Sequence, residues 1–375
     1  MSSTDVRLAR LTMRELRIPL TVSFRHASAE RAESSSVWVE AVSSDGEVGC
    51  GEGCPRRYVT GETVESAQAF LEAHHESIVN EVTALGALRA WMNDHTPEID
   101  ANPSAWCAIE LAFLHLFGLR AGASIERLLG RASLPERFQY TAVLGDMPAA
   151  PFHTLAQRYF QQGFRDFKVK LSGDIARDRA KLAVFGDWPR HAVRIRADAN
   201  NVWSSAAQAI EALRSLECSW FAVEEPIGRD QYGDLARIAA ALDTHIVLDE
   251  SLRHRGQVAG LGEPAPQWIA NVRVSKMGGL LRALDVIDAA AARGIGVIVG
   301  AQVGETSLLT RAGLTAASVA DTALVGHEGA FGTHLLTRDV CDPPLMFGTG
   351  GVLRVADYPW LVSAGLGRFA LPATA

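Results

Sequence analysis

Two lysines alternate with apolar residues in the segment FRDFKVKLSGD, residues 164–174. The period of two in a β-strand places Lys168 and Lys170 on one face, where their ammonium groups repel each other. On an exposed strand edge, such lysines would protect the protein against aggregation. In an enclosed site, one cation would lower the pKa of the other and make it a usable base. Acidic residues that converge on the same place would favour the second interpretation.

Charged residues also end the apolar segments that follow. Asp198 ends VRIRAD, Glu224 lies in WFAVEEP, Asp249 follows HIVL, and Lys276 ends ANVRVSK. Starting from Lys170, consecutive members of this series are 25 to 28 residues apart. One strand–helix unit of a (β/α) barrel has about this length, so the spacing predicts that they lie together at the carboxyl-end mouth of a barrel.

Three carboxylates on adjacent strands repel one another unless a cation lies between them. An all-oxygen set of ligands with room for water and substrate suits Mg²⁺. A single Asp or Glu at a strand end is more often a turn residue, but five charged residues in phase across five strands favour a site. Arg196 shares the face of Asp198 and is interpreted as an ion-pair partner. Glu225 has the opposite parity to Glu224 and is the second choice as a ligand.

The elements that must position these residues change character near residue 135. Before it, alternating segments around an Asp45-Gly46 turn predict strands, and the spacing over 104–119 predicts a helix, so residues 1–134 are expected to form an α+β capping domain. After it, strand and helix patterns alternate, which predicts a parallel sheet and favours a closed, modified TIM-type (β/α) barrel at 135–340. Residues 341–375 are expected to return to the cap.

Composition indicates a globular protein with a small-molecule partner. The 375 residues are 48% hydrophobic and carry a net charge of −7, and no basic run suggests nucleic acid. Five cysteines without a CxxC motif are expected to be reduced thiols. The start of the chain lacks the apolar region of a signal peptide, and no uninterrupted apolar run reaches about 18 residues. We therefore expect a cytoplasmic protein without membrane partners, and a homo-oligomer.

The sequence resembles the enolase superfamily, in its muconate-lactonizing-enzyme subgroup. The motifs that carry the resemblance are K-x-K at 168–170, D-A-N at 198–200 with Trp203, E-E-P at 224–226, D-E-S at 249–251 and S-K-M-G-G at 275–279. Residues 104–130 are similar to the helical passage that precedes the barrel in this family, so the resemblance covers nearly the whole chain.

The resemblance implies abstraction of a proton α to a carboxylate, with an enolate intermediate and Mg²⁺ as the cofactor, for which Mn²⁺ could substitute. It implies that Asp198, Glu224 and Asp249 hold the metal. It further implies that Lys170 and Lys276 face opposite sides of the α-carbon, while Lys168 acts as an electrostatic partner that lowers the pKa of Lys170.

Three functions remain open. Racemisation or epimerisation of an amino-acid derivative or related carboxylate is favoured, because lysines on both faces permit proton removal from one side and delivery to the other. β-Elimination or cycloisomerisation, as in a dehydratase, o-succinylbenzoate synthase or muconate cycloisomerase, is the alternative. An inactive binding protein is disfavoured by the intact charged residues. Sugar-acid dehydratases of the mandelate-racemase type are disfavoured because Lys276 stands where they use a different base.

Substrate specificity is predicted to lie in the cap and at the last strand ends. The resemblance implies that two cap loops, at 23–28 and 51–61, close over the substrate. The segment 327–336 lacks the D-x-D with which dipeptide epimerases of this subgroup hold an α-ammonium group, which counts against that activity, and Glu328 would replace part of it. The candidate substrate-binding residues are Arg25, His26, Tyr58, Asn200, Gln302, Glu305 and Glu328.

Overall fold

The N-terminal part of the chain forms two small antiparallel sheets in a computed structural model that describes residues 5–26, 29–189 and 192–372. One sheet has the strand order β1-β4-β5, and β2 pairs with β3. The turn between β4 and β5 contains Asp45 and Gly46, as the sequence predicted. The strands are β1 (Leu8–Leu16), β2 (Pro19–His26), β3 (Ala29–Glu33), β4 (Ser36–Ser43) and β5 (Val48–Gly53).

Helices cover this cap sheet, and α4 lies closest to it. The helices are α1 (Val64–Glu81), α2 (Leu85–Asp94), α3 (Thr96–Ala101), α4 (Pro103–Ala121) and α5 (Ile125–Leu128). A Cβ at Gly49, Gly51 or Gly53 of β5 would lie 1.9–2.1 Å from carbonyl oxygens of α4, so the glycines permit the close approach. By length and composition alone α4 could cross a membrane, but 83% of its apolar window is buried inside the protein.

The second part of the described chain contains a sheet of eight strands that pair in chain order, each parallel to the next. The strands are β7 (Ala142–Leu144), β8 (Asp166–Lys170), β9 (Arg194–Asp198), β10 (Ala222–Glu224), β11 (His245–Leu248), β12 (Trp268–Val272), β13 (Gly296–Val299) and β14 (Leu324–His327). The first and last strands meet, because the backbone N–H of Thr141 donates to the carbonyl of His327 at 2.7 Å. This arrangement confirms the predicted barrel and cap.

Helices connect the barrel strands, and a short helical turn, α11, interrupts the passage from β12 to α12. The helices are α6 (Ala149–Gln161), α7 (Ile175–Gly186), α8 (Ala206–Ser215), α9 (Tyr232–Leu242), α10 (Arg255–Ala259), α11 (Val274–Met277), α12 (Leu280–Ala291) and α13 (Ser307–Ala320). Short 3₁₀ turns lie at Ala265–Gln267, Asp321–Ala323, Gly332–His334, Thr349–Gly351, Val355–Asp357 and Pro359–Val362.

Segments before and after the barrel pair with each other and with the cap. Strand β6 (Arg137–Gln139) pairs antiparallel with β15 (Val352–Arg354). Further along, Gly365 N–H donates to the carbonyl of Ala123 at 2.9 Å, which brings the C-terminal segment to the end of the cap helices. The domain limits at 134 and 340 stay predictions.

Candidate active site

The carboxyl ends of three neighbouring strands bring the first charged residues together. Lys170 is the register partner of Asp198, and Asp198 is the register partner of Glu224. Because parallel strands in a barrel end at the same mouth, these side chains share one place. Asp249 follows the last residue of β11 and reaches the same mouth.

Lys168 lies among three carboxylates. Its Nζ is 3.2 Å from Asp198 Oδ2, 2.8 Å from Glu224 Oε2 and 3.2 Å from Glu328 Oε2, and its side chain is 4% exposed. Burial lowers the pKa of Lys168, but the three carboxylates outweigh burial and raise the pKa above its ordinary value. Lys168 is therefore held as an ammonium ion, which suits an electrostatic role.

Lys170 is the more accessible of the two lysines. Its Nζ donates to Asp198 Oδ2 at 3.0 Å and to Asn200 Oδ1 at 2.8 Å. The side chain is 13% exposed and lines the cavity at the barrel mouth. Two acceptors thus orient an amine that can reach a bound molecule.

Asp198 and Glu224 supply buried carboxylate oxygens. Burial opposes ionisation of Asp198, but Lys168 and Lys170 outweigh it and hold the pKa of Asp198 below its usual range. Burial raises the pKa of Glu224 to about 8, although Lys168 opposes the shift. Among the described residues, Asp198 Oδ1 is buried without a hydrogen-bond partner. Such an oxygen is costly to leave unpaired and is available to a cation.

The two oxygens of Asp249 are engaged by cations. Oδ1 accepts from Lys276 Nζ at 2.8 Å, and Oδ2 accepts from Arg273 Nη2. Burial opposes ionisation of Asp249, but Arg273 and Lys276 together lower its pKa. Asp249 is thus ionised at the mouth, as a metal ligand must be.

Lys276 does not face the cavity. Its side chain is 0% exposed, and its Nζ also donates to the carbonyls of Asp249 and Asn271, both at 2.7 Å. This placement corrects the expectation that Lys276 stands across the α-carbon from Lys170. The reason is that β12 ends at Val272 and the chain turns into α11, so strand parity no longer sets the direction of residue 276.

Arg273 takes the place expected for Lys276, and the sequence reasoning missed it. It follows β12 directly, shares the parity of Asn271, lines the cavity and is 13% exposed. Burial lowers the pKa of Arg273, but Asp249, Glu250 and other nearby carboxylates raise it more. Counting parity along the strand, instead of residues between charges, would have found this position.

Glu225 and Arg196 have supporting contacts. The Glu225 carboxylate accepts from the backbone N–H of Asp249 at 2.7 Å and of Ser251 at 2.8 Å, so it positions the loop that carries Asp249. Arg196 Nη1 donates to Glu328 Oε1 at 2.9 Å. This ion pair agrees with the interpretation of Arg196 from the sequence.

The donor set fits a divalent metal by its chemistry. Asp198, Glu224 and Asp249 offer the hard oxygen ligands that Mg²⁺ prefers, and the unpartnered Oδ1 of Asp198 is available to it. Within the described ranges, no group of three or more His, Cys, Asp or Glu is already arranged to hold a metal ion. In this structure, the carboxylates are held by Lys168, Arg273 and the other cations of the mouth.

A cavity of about 270 Å³ adjoins these residues. Four of the predicted substrate-binding residues line it, namely Tyr58, Asn200, Gln302 and Glu328. Glu250, which the sequence reasoning also missed, lies in the same wall, and burial raises its pKa to about 7.

Glu305 is not among the described residues of the cavity wall, and the structure does not test the prediction for Arg25 and His26. Glu305 lies behind Gln302, because its carboxylate accepts from the Gln302 N–H at 2.9 Å, and burial raises its pKa to about 8. The backbone of Arg25 and His26 belongs to β2, but their side chains lie outside the described part of the structure, as do residues 27–28 of the first cap loop.

Comparison with known proteins agrees with this architecture. The family described as Enolase C-terminal domain-like matches residues 152–367. L-Ala-D/L-Glu epimerase of Bacillus subtilis is 28% identical over 353 residues, which cover 92% of this chain and 90% of that protein. o-Succinylbenzoate synthase of Geobacillus stearothermophilus is 29% identical over 359 residues, which cover 92% of this chain and 89% of the synthase.

A solved structure gives the same result. The dipeptide epimerase of Methylococcus capsulatus, crystallised with Mg and the dipeptide L-Arg-D-Lys, superposes with a TM-score of 0.80 at 26% identity. The match covers 96% of this chain and 99% of that epimerase. The similarity therefore extends over both the cap and the barrel.

Proposed function

Because the chain belongs to the enolase superfamily, in its mandelate racemase/muconate lactonizing enzyme group, we propose that it removes the proton α to a carboxylate and forms an enolate. One observation carries the proposal. An accessible lysine, Lys170, lines a cavity at the barrel mouth together with Asp198. The buried carboxylates of Glu224 and Asp249 pair with Lys168 and Arg273, which line the same cavity. Barrel enzymes place their chemistry at this end of the strands.

We propose that Asp198, Glu224 and Asp249 hold Mg²⁺, the cation found with the Methylococcus epimerase. Bound Mg²⁺ would supply positive charge that stabilises the negative charge developing on the substrate carboxylate. Lys168, a buried ammonium beside Asp198 and Glu224, adds a second fixed positive charge at the same place.

Lys170 is proposed to move the proton. Its Nζ is held by Asp198 and Asn200 and lines the cavity, so it can approach the α-carbon of a bound substrate. The cap residue Tyr58 lines the same cavity and would help to exclude water from it.

Racemisation or epimerisation of an amino-acid derivative is the outcome that the names of the epimerase relatives support. β-Elimination or cycloisomerisation is the second candidate, supported by the synthase among the relatives. A specific observation favours this second candidate, since the residue across the cavity from Lys170 is Arg273 and not a lysine.

The substrate is proposed to be a small carboxylate with an apolar portion. Part of the cavity wall is apolar, and it is formed by Val143, Met147, Leu155, Phe331 and Leu335. We also propose that the protein acts in the cytoplasm as a homo-oligomer. The five cysteines are free thiols, which suits a reducing compartment.

The test is exchange of the α-proton in deuterated water. A panel of N-acylated amino acids, dipeptides, proline derivatives and muconates is incubated with the protein and Mg²⁺, and proton NMR follows loss of the α-proton signal. We expect EDTA to abolish exchange, Mg²⁺ to restore it, and Asp198→Asn to lower the rate at least ~10²-fold.

The matched control is Asp187→Asn, a change of an exposed aspartate after α7, which should leave the rate unchanged. Full activity after exhaustive removal of metal, or in Asp198→Asn, would contradict the proposed function.

A further inference from the structure

The wall of the cavity opposite Lys170 carries a permanent cation, and the following inference rests on the proposed function. Lys170 ends β8, and Arg273 follows β12. These strands are four apart in the eight-stranded barrel, so their ends face each other across the barrel axis. Since both side chains line the same cavity, a bound substrate lies between them.

Arg273 and Gln302 form a fixed pair of hydrogen-bond donors on this wall. Arg273 Nη1 donates to Gln302 Oε1 at 3.2 Å, and Arg273 Nη2 donates to Asp249. The amide oxygen of Gln302 is therefore used, and its Nε2 is left as a donor. In the described part of the chain, neither Gln302 Nε2 nor Arg273 Nε has a hydrogen-bond partner, although both atoms are buried.

Unpaired buried donors carry a desolvation cost, and an anionic oxygen between them would remove it. Arg273 is anchored by Asp249 and Gln302, so its guanidinium is oriented before any ligand arrives. Oriented donors of this kind stabilise negative charge on oxygen during a reaction.

Arg273 cannot replace the second lysine as a base. A guanidinium keeps its proton at every pH at which proteins are folded. Lys276 cannot act in its place, because its ammonium makes three hydrogen bonds outside the cavity wall and is 0% exposed. The described cavity wall also contains Lys168 and Asp198, which contact each other beside Lys170. Its remaining titratable side chains are Tyr58, Glu250 and Glu328.

We propose that Arg273 and Gln302 bind an oxyanion of the substrate, and that proton transfer at the α-carbon is confined to the face of Lys170. The C–H bond breaks, the proton passes to Lys170 Nζ, and the electron pair forms the enolate. Lys170 then returns a proton to the same face of the α-carbon, and the substrate is regenerated. Alternatively, the electron pair of the enolate forms a Cα=Cβ bond while a β-substituent leaves with its bonding electrons and takes the proton from Lys170 Nζ. One-sided transfer favours elimination over inversion.

The first test compares two enantiomers. Each enantiomer of N-succinylalanine, N-succinylarginine and N-succinylphenylalanine, and both epimers of L-Ala-Glu, is incubated with Mg²⁺ in deuterated water. Proton NMR measures exchange, and chiral chromatography measures inversion. We expect deuterium to enter one member of a pair at least ~10-fold faster than the other, with retention of configuration.

Arg273→Lys should then gain activity, because it places a titratable amine on the second face. Exchange of the slower enantiomer should rise at least ~10-fold and inversion should become measurable. The matched control is Arg293→Lys, an arginine that donates to the carbonyl of Leu261 and to Glu263 and is absent from the described cavity wall. It should keep the wild-type ratio of the two rates.

Comparable exchange of both enantiomers by the wild type, with an unchanged ratio in Arg273→Lys, would overturn the inference. Selective loss of the second exchange in Glu250→Gln would also overturn it, since Glu250 would then be the opposite base. If the wild-type protein exchanges the α-proton of none of these compounds, the result counts against the proposed function. The binding experiment then decides whether Arg273 and Gln302 bind an oxyanion.

The binding experiment measures succinate by isothermal titration calorimetry without turnover. We expect Arg273→Met and Gln302→Leu each to weaken binding at least ~10-fold, and Arg293→Met to leave it unchanged. Thermal unfolding shows whether each variant is folded. If one variant is misfolded, the other still tests the proposal. Wild-type affinity in both variants, or absence of binding to the wild-type protein, would overturn the oxyanion role.

Discussion

Lys168 counters the mutual repulsion of three carboxylates at the barrel mouth. Its ammonium lies within 3.2 Å of oxygens of Asp198, Glu224 and Glu328, and it is almost completely buried. Removal of one partner from a buried ion group leaves charges without compensation, which costs more than the group contributes when intact. The same residue therefore matters for folding as well as for chemistry.

Lys168→Met should lower the free energy of unfolding by about 3–5 kcal/mol, because the carboxylates around it lose their shared cation. Urea denaturation at pH 7 with EDTA present measures the change without interference from metals. The double variant Lys168→Met/Glu328→Gln should recover part of the loss, since one of the repelling charges is gone. A change below about 0.5 kcal/mol in Lys168→Met would contradict the assigned role.

The positions of side chains at the barrel mouth could be predicted from the sequence for residues that lie within a strand, because strand parity applies to them. Asp198 and Glu224 lie inside strands, so their parity with Lys170 gave both their position and direction. The prediction for Lys276 failed because this residue lies in α11, where strand parity no longer applies. Arg273, three residues earlier, is the first residue after β12 and still follows the parity of the strand. The partners of Lys168 depend on contacts across the barrel that no local pattern contains.

Helix starts at the junction of cap and barrel are held by buried glutamates of the cap. Glu52 accepts from the N–H of Thr306 at 3.0 Å before α13, and Glu110 accepts from the N–H of Leu281 at 3.0 Å in the first turn of α12. Such carboxyl oxygens accept from N–H groups that have no partner within the helix. The periodicity of the sequence predicted these helices, but not which distant acid would reach them.

Glu110→Gln should stabilise the protein more at pH 8 than at pH 5. Burial raises the pKa of Glu110 to about 8, against about 4.5 when unfolded. Between these values the folded state keeps a proton that the unfolded state has released. The contribution of Glu110 to stability is therefore lost as the pH rises through this window, by up to about 1.4 kcal/mol per pH unit.

Urea denaturation of the wild type and of Glu110→Gln at several pH values measures this difference. Glu72→Gln, which changes an exposed glutamate of α1, is the control and should track the wild type. A constant difference between the wild type and Glu110→Gln from pH 5 to pH 8 would show that Glu110 does not titrate in this range.

At the scale of the whole molecule, His115 connects the cap to the end of the chain. Its Nδ1 accepts from the backbone N–H of Cys50 in β5 at 3.1 Å, and its Nε2 lies 3.1 Å from the carbonyl of Gly367. The neutral imidazole with a proton on Nε2 satisfies both contacts. A proton on Nδ1 would remove the acceptor for Cys50, so protonation opposes this junction. The sequence predicted that the C-terminal segment returns to the cap, but it gave no reason to select His115.

The pH dependence of folding should therefore contain a contribution from His115. Burial lowers the pKa of His115 to about 4, against about 6.5 when unfolded. Between these values the unfolded state binds a proton that the folded state lacks, so the free energy of unfolding falls as the pH falls, by up to about 1.4 kcal/mol per pH unit. His115→Gln cannot titrate and should lose less stability than the wild type between pH 6.5 and pH 4.5 in urea denaturation. The control is His75→Gln, which changes an exposed histidine of α1 and should show the pH dependence of the wild type. If His115→Gln also shows the pH dependence of the wild type, His115 does not couple protonation to folding.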